Sequence, residues 1–258
     1  MSNIKKFRII KYKNTIKPAL KIKNISKSFN GVSVLNGLNL NILPGSINGL
    51  LGENGSGKTT LFNLILGVLK ADKGEIFAKG STLISAMPIH ERCKKFRISY
   101  VPQKESLFQG LSCEDNIKGL CELQMKDSRK IEEICDRLLT EFSLVDVKKI
   151  KARDLSGGQK KKLSIARALI NDPEVLLLDE IFAALAPKII ETIKNILANL
   201  QTTRRNISIL ISDHIYQHIL DLSDTVHILS GGEIIKSQKP ADIIKDVSAR
   251  KAYFGDSY

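Results

Sequence analysis

Tryptophan is absent from this 258-residue chain, and aromatic residues make up only 5% of it. That scarcity argues against platforms for stacking bases, so no nucleic acid partner is expected. No apolar run reaches the roughly 20 residues needed to cross a bilayer, and the opening stretch MSNIKKFRIIKYKN lacks the apolar core of a secretory signal. The chain therefore reads as cytoplasmic. Its four cysteines, Cys93, Cys113, Cys121 and Cys135, show neither C-x-x-C spacing nor an accompanying histidine pair. This excludes the usual zinc patterns and leaves reduced thiols. Acidic residues are missing from the first 27 positions, which hold nine basic ones, and the whole chain carries 40 Lys and Arg against 27 Asp and Glu, a net charge of +13. Such an excess suits an anionic surface, or else is lysine spread over solvated faces.

What is present is an ordinary globular composition, 43% hydrophobic and 26% charged, in a chain long enough for one large core or two lobes. The stretch INGLLGENGSGKTTLFNLILGVLK passes from a short apolar strand (Ile47 to Leu51) through a glycine-rich loop into a helix. The apolar residues of that helix, Leu61, Phe62, Ile65, Leu66 and Leu69, recur at helical spacing. Gly52 to Thr59 fits G-x-x-x-x-G-K-[ST]. Glycines 52, 55 and 57 let backbone N–H groups curl toward phosphate oxygens, and the helix start adds its positive dipole end. Gly52, Asn54, Gly55, Ser56, Gly57, Lys58, Thr59 and Thr60 are thus the expected nucleotide cradle, with Lys58 reaching the β- and γ-phosphates and the Thr59 hydroxyl binding Mg²⁺.

A second strand, EVLLL (Glu174 to Leu178), has the aliphatic content of a fully buried parallel strand and ends in Asp179 and Glu180. Alone, these two acids could cap the following helix. Beside a phosphate cradle they divide differently, Asp179 holding Mg²⁺ and Glu180 polarising the water that attacks the γ-phosphate.

DLSGGQKKKLSIARAL then narrows the class. Leu155-Ser156-Gly157-Gly158-Gln159 resembles the signature sequence of ATP-binding cassette (ABC) ATPases, in which Ser156, Gly157, Gly158 and Gln159 would serve the ATP of a partner subunit. The resemblance implies ATP and Mg²⁺ as cofactors and a dimer with a second copy around two nucleotides. It further implies Phe29 in ISKSFNG as the aromatic stacked on adenine, where the bare sequence equally allows a core phenylalanine. Gln103 in YVPQKES resembles the glutamine that touches Mg²⁺ and the attacking water. His214 in LISDHIYQ resembles the switch histidine on the γ-phosphate. Glu180, Gln103 and His214 are then the catalytic set, and Thr59, Gln103 and Asp179 the metal set.

The fold implied is α/β, with a mostly parallel, RecA-like P-loop core, an N-terminal antiparallel β subdomain and an inserted helical subdomain at about residues 104–168. The ATP-binding domain would span 20–258, after a basic extension at 1–19 and with a helical tail from about 240 to 258. Linking segments such as ISAMPIHERCKKFRISYVPQKESLFQGLSCEDNI, and the ending RKAYFGDSY, resemble the lipopolysaccharide-export branch of the family. ATPases of branched-chain amino acid importers share much of that layout, and a soluble, non-transport ABC ATPase is a third reading. The export reading implies two membrane permease subunits contacting a groove near Gln103, and a peripheral place on the cytoplasmic face of the inner membrane.

Three positions depart from the family pattern. Glu53 and Ile181 each stand where proline is usual, and Ala186 stands where the loop before Pro187 usually ends in aspartate. In the family that carboxylate helps join the two active sites, so its loss implies weaker coupling with ATP binding intact. Ala186→Asp is expected to raise the cooperativity of ATP hydrolysis; rate and Hill coefficient both unchanged in a steady-state titration would sink the idea.

Overall fold

The computed structural model describes residues 17–203, 207–250 and 253. Most of the basic extension at 1–19, and residues 251, 252 and 254–258 of the tail, lie outside the described residues. Two sheets organise the chain. The first joins β1 (Leu20–Phe29), β2 (Val32–Ile42), β4 (Lys73–Ala78) and β5 (Thr82–Leu83) in the order β2-β1-β4-β5, with every pairing antiparallel. The second contains β3 (Ile47–Leu51), β6 (Ile98–Val101), β7 (Val175–Asp179), β8 (Ser208–Ser212), β9 (Thr225–Ser230) and β10 (Glu233–Gln238). Its order is β10-β9-β3-β8-β7-β6, parallel throughout except for β10 at the edge. The fold is α/β, as the resemblance implied. The β9–β10 hairpin turns at Gly231 and Gly232, both at positive φ (58° and 82°), the backbone that a two-residue turn demands.

β3, β7 and β8 are buried at every position, which explains why they read as continuous apolar runs and not as alternating ones. The period of two persists in where the side chains go. Ile47, Leu51, Leu176, Leu178, Ile209, Ile211, Val226 and Ile228 enter one core, whereas Leu50, Val175, Leu177, Leu210 and Leu229 enter another. The first core is completed by the helical segment, α3 (Cys113–Glu122), α4 (Ser128–Glu141) and α5 (Gly157–Ala168), and by α6 (Pro187–Thr203). The second is completed by the antiparallel sheet and α1 (Lys58–Leu66). α4 buries Ile131, Cys135, Leu138 and Leu139 along one stripe and turns its charges outward. All four cysteines are free thiols, and burial pushes Cys135 up to about 12, which keeps it protonated and unreactive.

α1 ends three residues before Leu69, which lies beyond the helix and packs partly buried against the core. Gly67 stops it in the left-handed region at φ 82°, and the exposed carbonyls of its last turn are taken by Arg92 of α2 (Ile89–Phe96). Arg92 is buried with no carboxylate partner among the described residues. Its guanidinium donates instead to the carbonyls of Leu64, Ile65, Ser85 and Met87 at 2.7–2.8 Å. The remaining helices are α7 (Tyr216–Leu222), α8 (Pro240–Ile243) and α9 (Val247–Ala249).

On β9, His227 is 3% exposed. Asn48 donates its amide to Ser46, so its Oδ1 is left to accept from His227 Nε2, and Nδ1 accepts from the Ser237 hydroxyl. The ring is held neutral by burial, its pKa lowered from 6.5 to about 4. Because the unfolded chain takes up that proton first, stability is fully present above about pH 6.5 and is lost as pH falls toward 4. His227→Gln keeps hydrogen-bonding capacity without the titration. Urea melts between pH 7 and 4 should show the wild type losing about 3 kcal/mol more than the variant; parallel losses would exclude His227 as the source.

Candidate functional site

The parallel strands bring their carboxyl ends to one edge, and the predicted residues gather there. The loop from Gly52 to Gly57 leaves β3, the two acids end β7, His214 follows β8, and Gln103 follows β6. Gly57 precedes α1 at φ 104°, and a Cβ there would sit 2.8 Å from Leu35 Cδ2, so both conformation and space require glycine. The Ser56 hydroxyl within the loop is buried with no hydrogen-bond partner. An orphaned donor beside a helix start is what a phosphate oxygen would satisfy.

Lys58 is 5% exposed and folds back over its own loop, donating to the carbonyls of Gly52 (2.7 Å) and Glu53 (3.0 Å), with Glu180 Oε1 4.0 Å away. Burial lowers its pKa, opposed by the charges of Glu180, Asp179 and Asp213. Asp179, fully buried, is gripped by three hydroxyls: Thr59 Oγ1 donates to Oδ2 at 2.8 Å, Tyr100 to Oδ2 at 3.2 Å and Ser212 to Oδ1 at 2.6 Å. Glu180 does not cap α6, which begins only at Pro187. Its backbone sits at φ 45° and is pinned by Ser212, whose carbonyl and hydroxyl both accept the Glu180 N–H, at 3.0 and 3.2 Å. Its carboxylate accepts from Gln103 Nε2 at 2.5 Å.

His214 is half exposed, with Nδ1 3.4 Å from the buried Asp213 carboxylate. Asp213 in turn accepts from the backbone N–H of Phe182 (3.1 Å) and Ile215 (3.0 Å), fastening the segment after the acids to the loop that carries the histidine. Tyr253, far along the chain, donates its hydroxyl to the His214 carbonyl at 3.2 Å. Burial and the charges of Asp213, Glu53 and Glu180 push that phenol up to about 12.

Thr59, Asp179, Glu180 and Gln103 form an all-oxygen and amide set of the kind that a hard cation accepts, whereas no cluster of three His, Cys, Asp or Glu able to hold a metal occurs among the described residues. The set fits a hard, oxygen-preferring cation such as Mg²⁺. A cavity of about 380 Å³ adjoins the outer arm of the loop, walled by Glu53 to Ser56, Val32 to Val34, Leu229 to Gly232 and Tyr253. Phe29 is not one of its walls. It ends β1 41% exposed, with Lys27 Nζ 5.4 Å from the ring centroid, so it is no core residue.

Ser156 to Gln159 start α5 with a closed capping box, the Ser156 hydroxyl accepting from the Gln159 N–H and the Gln159 side chain accepting from the Ser156 N–H. No hydrogen bond or ion pair joins this segment to Lys58 or Thr59 among the described residues. α5 instead grips the segment after β6. Lys161 donates to the Gln103 carbonyl at 3.3 Å, and Arg167 donates to the Ser106 carbonyl at 2.8 Å while lying 4.8 Å over the Phe108 ring. Sequence reasoning assigned no role to Tyr100, Ser212, Asp213 or Tyr253. The first three stand inside the motif stretches YVPQ and LISDH, but their partners are set by strand register.

The family model described as ABC transporter matches residues 35–183. An uncharacterized ABC transporter ATP-binding protein of Rhizobium meliloti is 37% identical over 92% of this chain and 86% of its own. The lipopolysaccharide export system ATP-binding proteins LptB of Haemophilus influenzae and Escherichia coli K12 are 33% and 34% identical, each over 93% of this chain and 98% of theirs. Among solved structures, the ADP conformation of an ATP-binding cassette of an ABC transporter superposes with a TM-score of 0.82, at 26% identity, over 93% of this chain and 99% of that one. A dimeric cassette in a post-hydrolysis state, bound to ADP and phosphate, gives 0.76 at 26% identity, over 86% and 98%.

Proposed function

The chain belongs to the ABC transporter family of ATP-binding cassettes, and from that premise we propose that it powers the export of lipopolysaccharide from the inner membrane. It binds ATP, and ATP hydrolysis coupled to transport is the activity of its family. The observation that carries the cargo is the match to LptB proteins along 98% of their length.

The chemistry follows from the edge of the sheet. Lys58, now turned onto loop carbonyls, swings to the β- and γ-phosphates, for which two weak carbonyl bonds exchange for charged ones. Mg²⁺, when bound, neutralises charge on the phosphate oxygens; Thr59, Asp179 and Gln103 would hold it. Glu180 takes the proton of a water whose oxygen attacks the γ-phosphorus as the bond to the β–γ bridging oxygen breaks, giving ADP and phosphate. Gln103 holds the Glu180 carboxylate, and His214 would contact the γ-phosphate. Phe29, exposed at the strand end, is left to meet the adenine.

A dimeric relative bound to ADP and phosphate supports pairing with a second copy, whose Ser156 to Gln159 would close on the phosphates held here by Lys58. Two membrane permease subunits are the expected further partners, on the cytoplasmic face of the inner membrane. No helix among the described residues is long and apolar enough to cross a membrane itself. Beside Gln103 a hollow of about 130 Å³, walled by Tyr100, Pro102, Ser106, Leu120 and Arg167, supports docking of a permease helix. Phe108, 47% exposed, lies against Arg167 at the wall of this hollow. Because Lys161 and Arg167 tie α5 to the same segment, a push on that hollow moves the signature residues too.

Purification from native membranes in mild detergent, with bound proteins identified by mass spectrometry, should recover the two lipopolysaccharide-export permeases; amino acid permeases in their place would overturn the cargo. Lys58→Ala should abolish ATP binding in a filter or fluorescence assay. Glu180→Gln should bind ATP normally, lose at least about 100-fold in turnover and elute as a dimer; full turnover by that variant would refute the assigned base.

A further inference from the structure

We propose that Tyr100 is a positioning residue for the metal-binding carboxylate of Asp179. The inference rests on the reading of Thr59, Asp179 and Gln103 as the Mg²⁺ set. An ionised carboxylate offers about four lone-pair directions, and three on Asp179 accept hydroxyls, from Thr59 and Tyr100 on Oδ2 and from Ser212 on Oδ1. One direction is left for the cation or its water shell. Thr59 is itself a metal ligand in this reading, so its hydroxyl turns as the site fills. Ser212 is committed on the other oxygen and to the Glu180 N–H. The Tyr100 phenol is therefore the one fixed donor on the oxygen that faces Thr59.

Two features hold the phenol there. The backbone of Tyr100 pairs in register with Leu177 on the strand that ends in Asp179. Its ring packs edge-on against Phe62 of α1, with centroids 6.1 Å apart, so the helix that carries Thr59 helps set the ring's place. A hydrogen bond to a ligand's outer oxygen orients that ligand, and losing such a bond weakens metal affinity by roughly 10- to 100-fold.

Tyr100→Phe removes the oxygen and leaves the ring. Binding of ADP by calorimetry, once with Mg²⁺ and once in EDTA, separates the metal's contribution from the nucleotide's. The variant should bind metal-free ADP within about twofold of wild type, while the gain on adding Mg²⁺ falls roughly tenfold. Phe62→Leu loosens the packing that places the ring but keeps the phenol, and should lose less of the gain than Tyr100→Phe. The proposal fails if Tyr100→Phe keeps the full gain, if metal-free binding drops equally, or if Phe62→Leu loses more of the gain than Tyr100→Phe. A wild type with no Mg²⁺-dependent gain at all would instead overturn the metal set itself, and the proposal with it.

Discussion

A carboxylate with no solvent exposure, at the end of a buried strand, is the constraint around which this molecule is arranged. A carboxylate removed from water is strongly destabilising unless hydrogen-bonded, so the burial of Asp179 demands donors around it. The donors come from three different elements: Thr59 from the first turn of α1, Tyr100 from β6 and Ser212 from β8. Each belongs to a segment that also carries a second functional group, respectively Lys58, Gln103 and His214. The same bonds that make the acid tolerable therefore fix the relative places of the phosphate cradle, the glutamine and the histidine.

The parallel sheet makes this possible. Its strands deliver their carboxyl ends to one edge, while their alternating side chains feed two separate cores, one beneath the helical segment and one beneath the antiparallel sheet. The edge itself remains polar because its groups bond one another: Ser212 holds the Glu180 N–H, and Asp213 holds those of Phe182 and Ile215. At the far end of α1, Arg92 satisfies carbonyls that would otherwise be buried bare.

The groups proposed to touch phosphate or metal stand out in the sequence because that chemistry demands particular residue types at fixed local spacing: G-x-x-x-x-G-K-[ST], two acids after an apolar run, LSGGQ. Supporting residues do not, because their roles arise from register. Nothing in YVPQ says that tyrosine faces an aspartate 79 positions later, yet the pairing of Val101 with Leu178 and of Asp179 with Ser212 makes both contacts unavoidable. Likewise the helical period extended the apolar pattern to Leu69, whereas the chain leaves the helix at Gly67, where Arg92 intercepts the carbonyls. Phe29 allowed two readings until its exposure removed the core one.

The signature segment caps itself but leaves two backbone donors outside the cap. At the start of α5 the capping box consumes the Ser156 hydroxyl, the Gln159 side chain and their two N–H groups internally. The N–H groups of Gly157 and Gly158 take no part in that box, and they carry the positive end of the helix dipole. An anion is their natural partner, but among the described residues nothing in the same chain's cradle bonds to them, and Lys58 and Asp179 are held without them. In the proposed dimer that anion is a phosphate in the second copy's cradle. Lys161 and Arg167 tie α5 to the backbone after β6, so in that proposal one helix gripped at two carbonyls links closure of the dimer to Gln103 and to the hollow beside it.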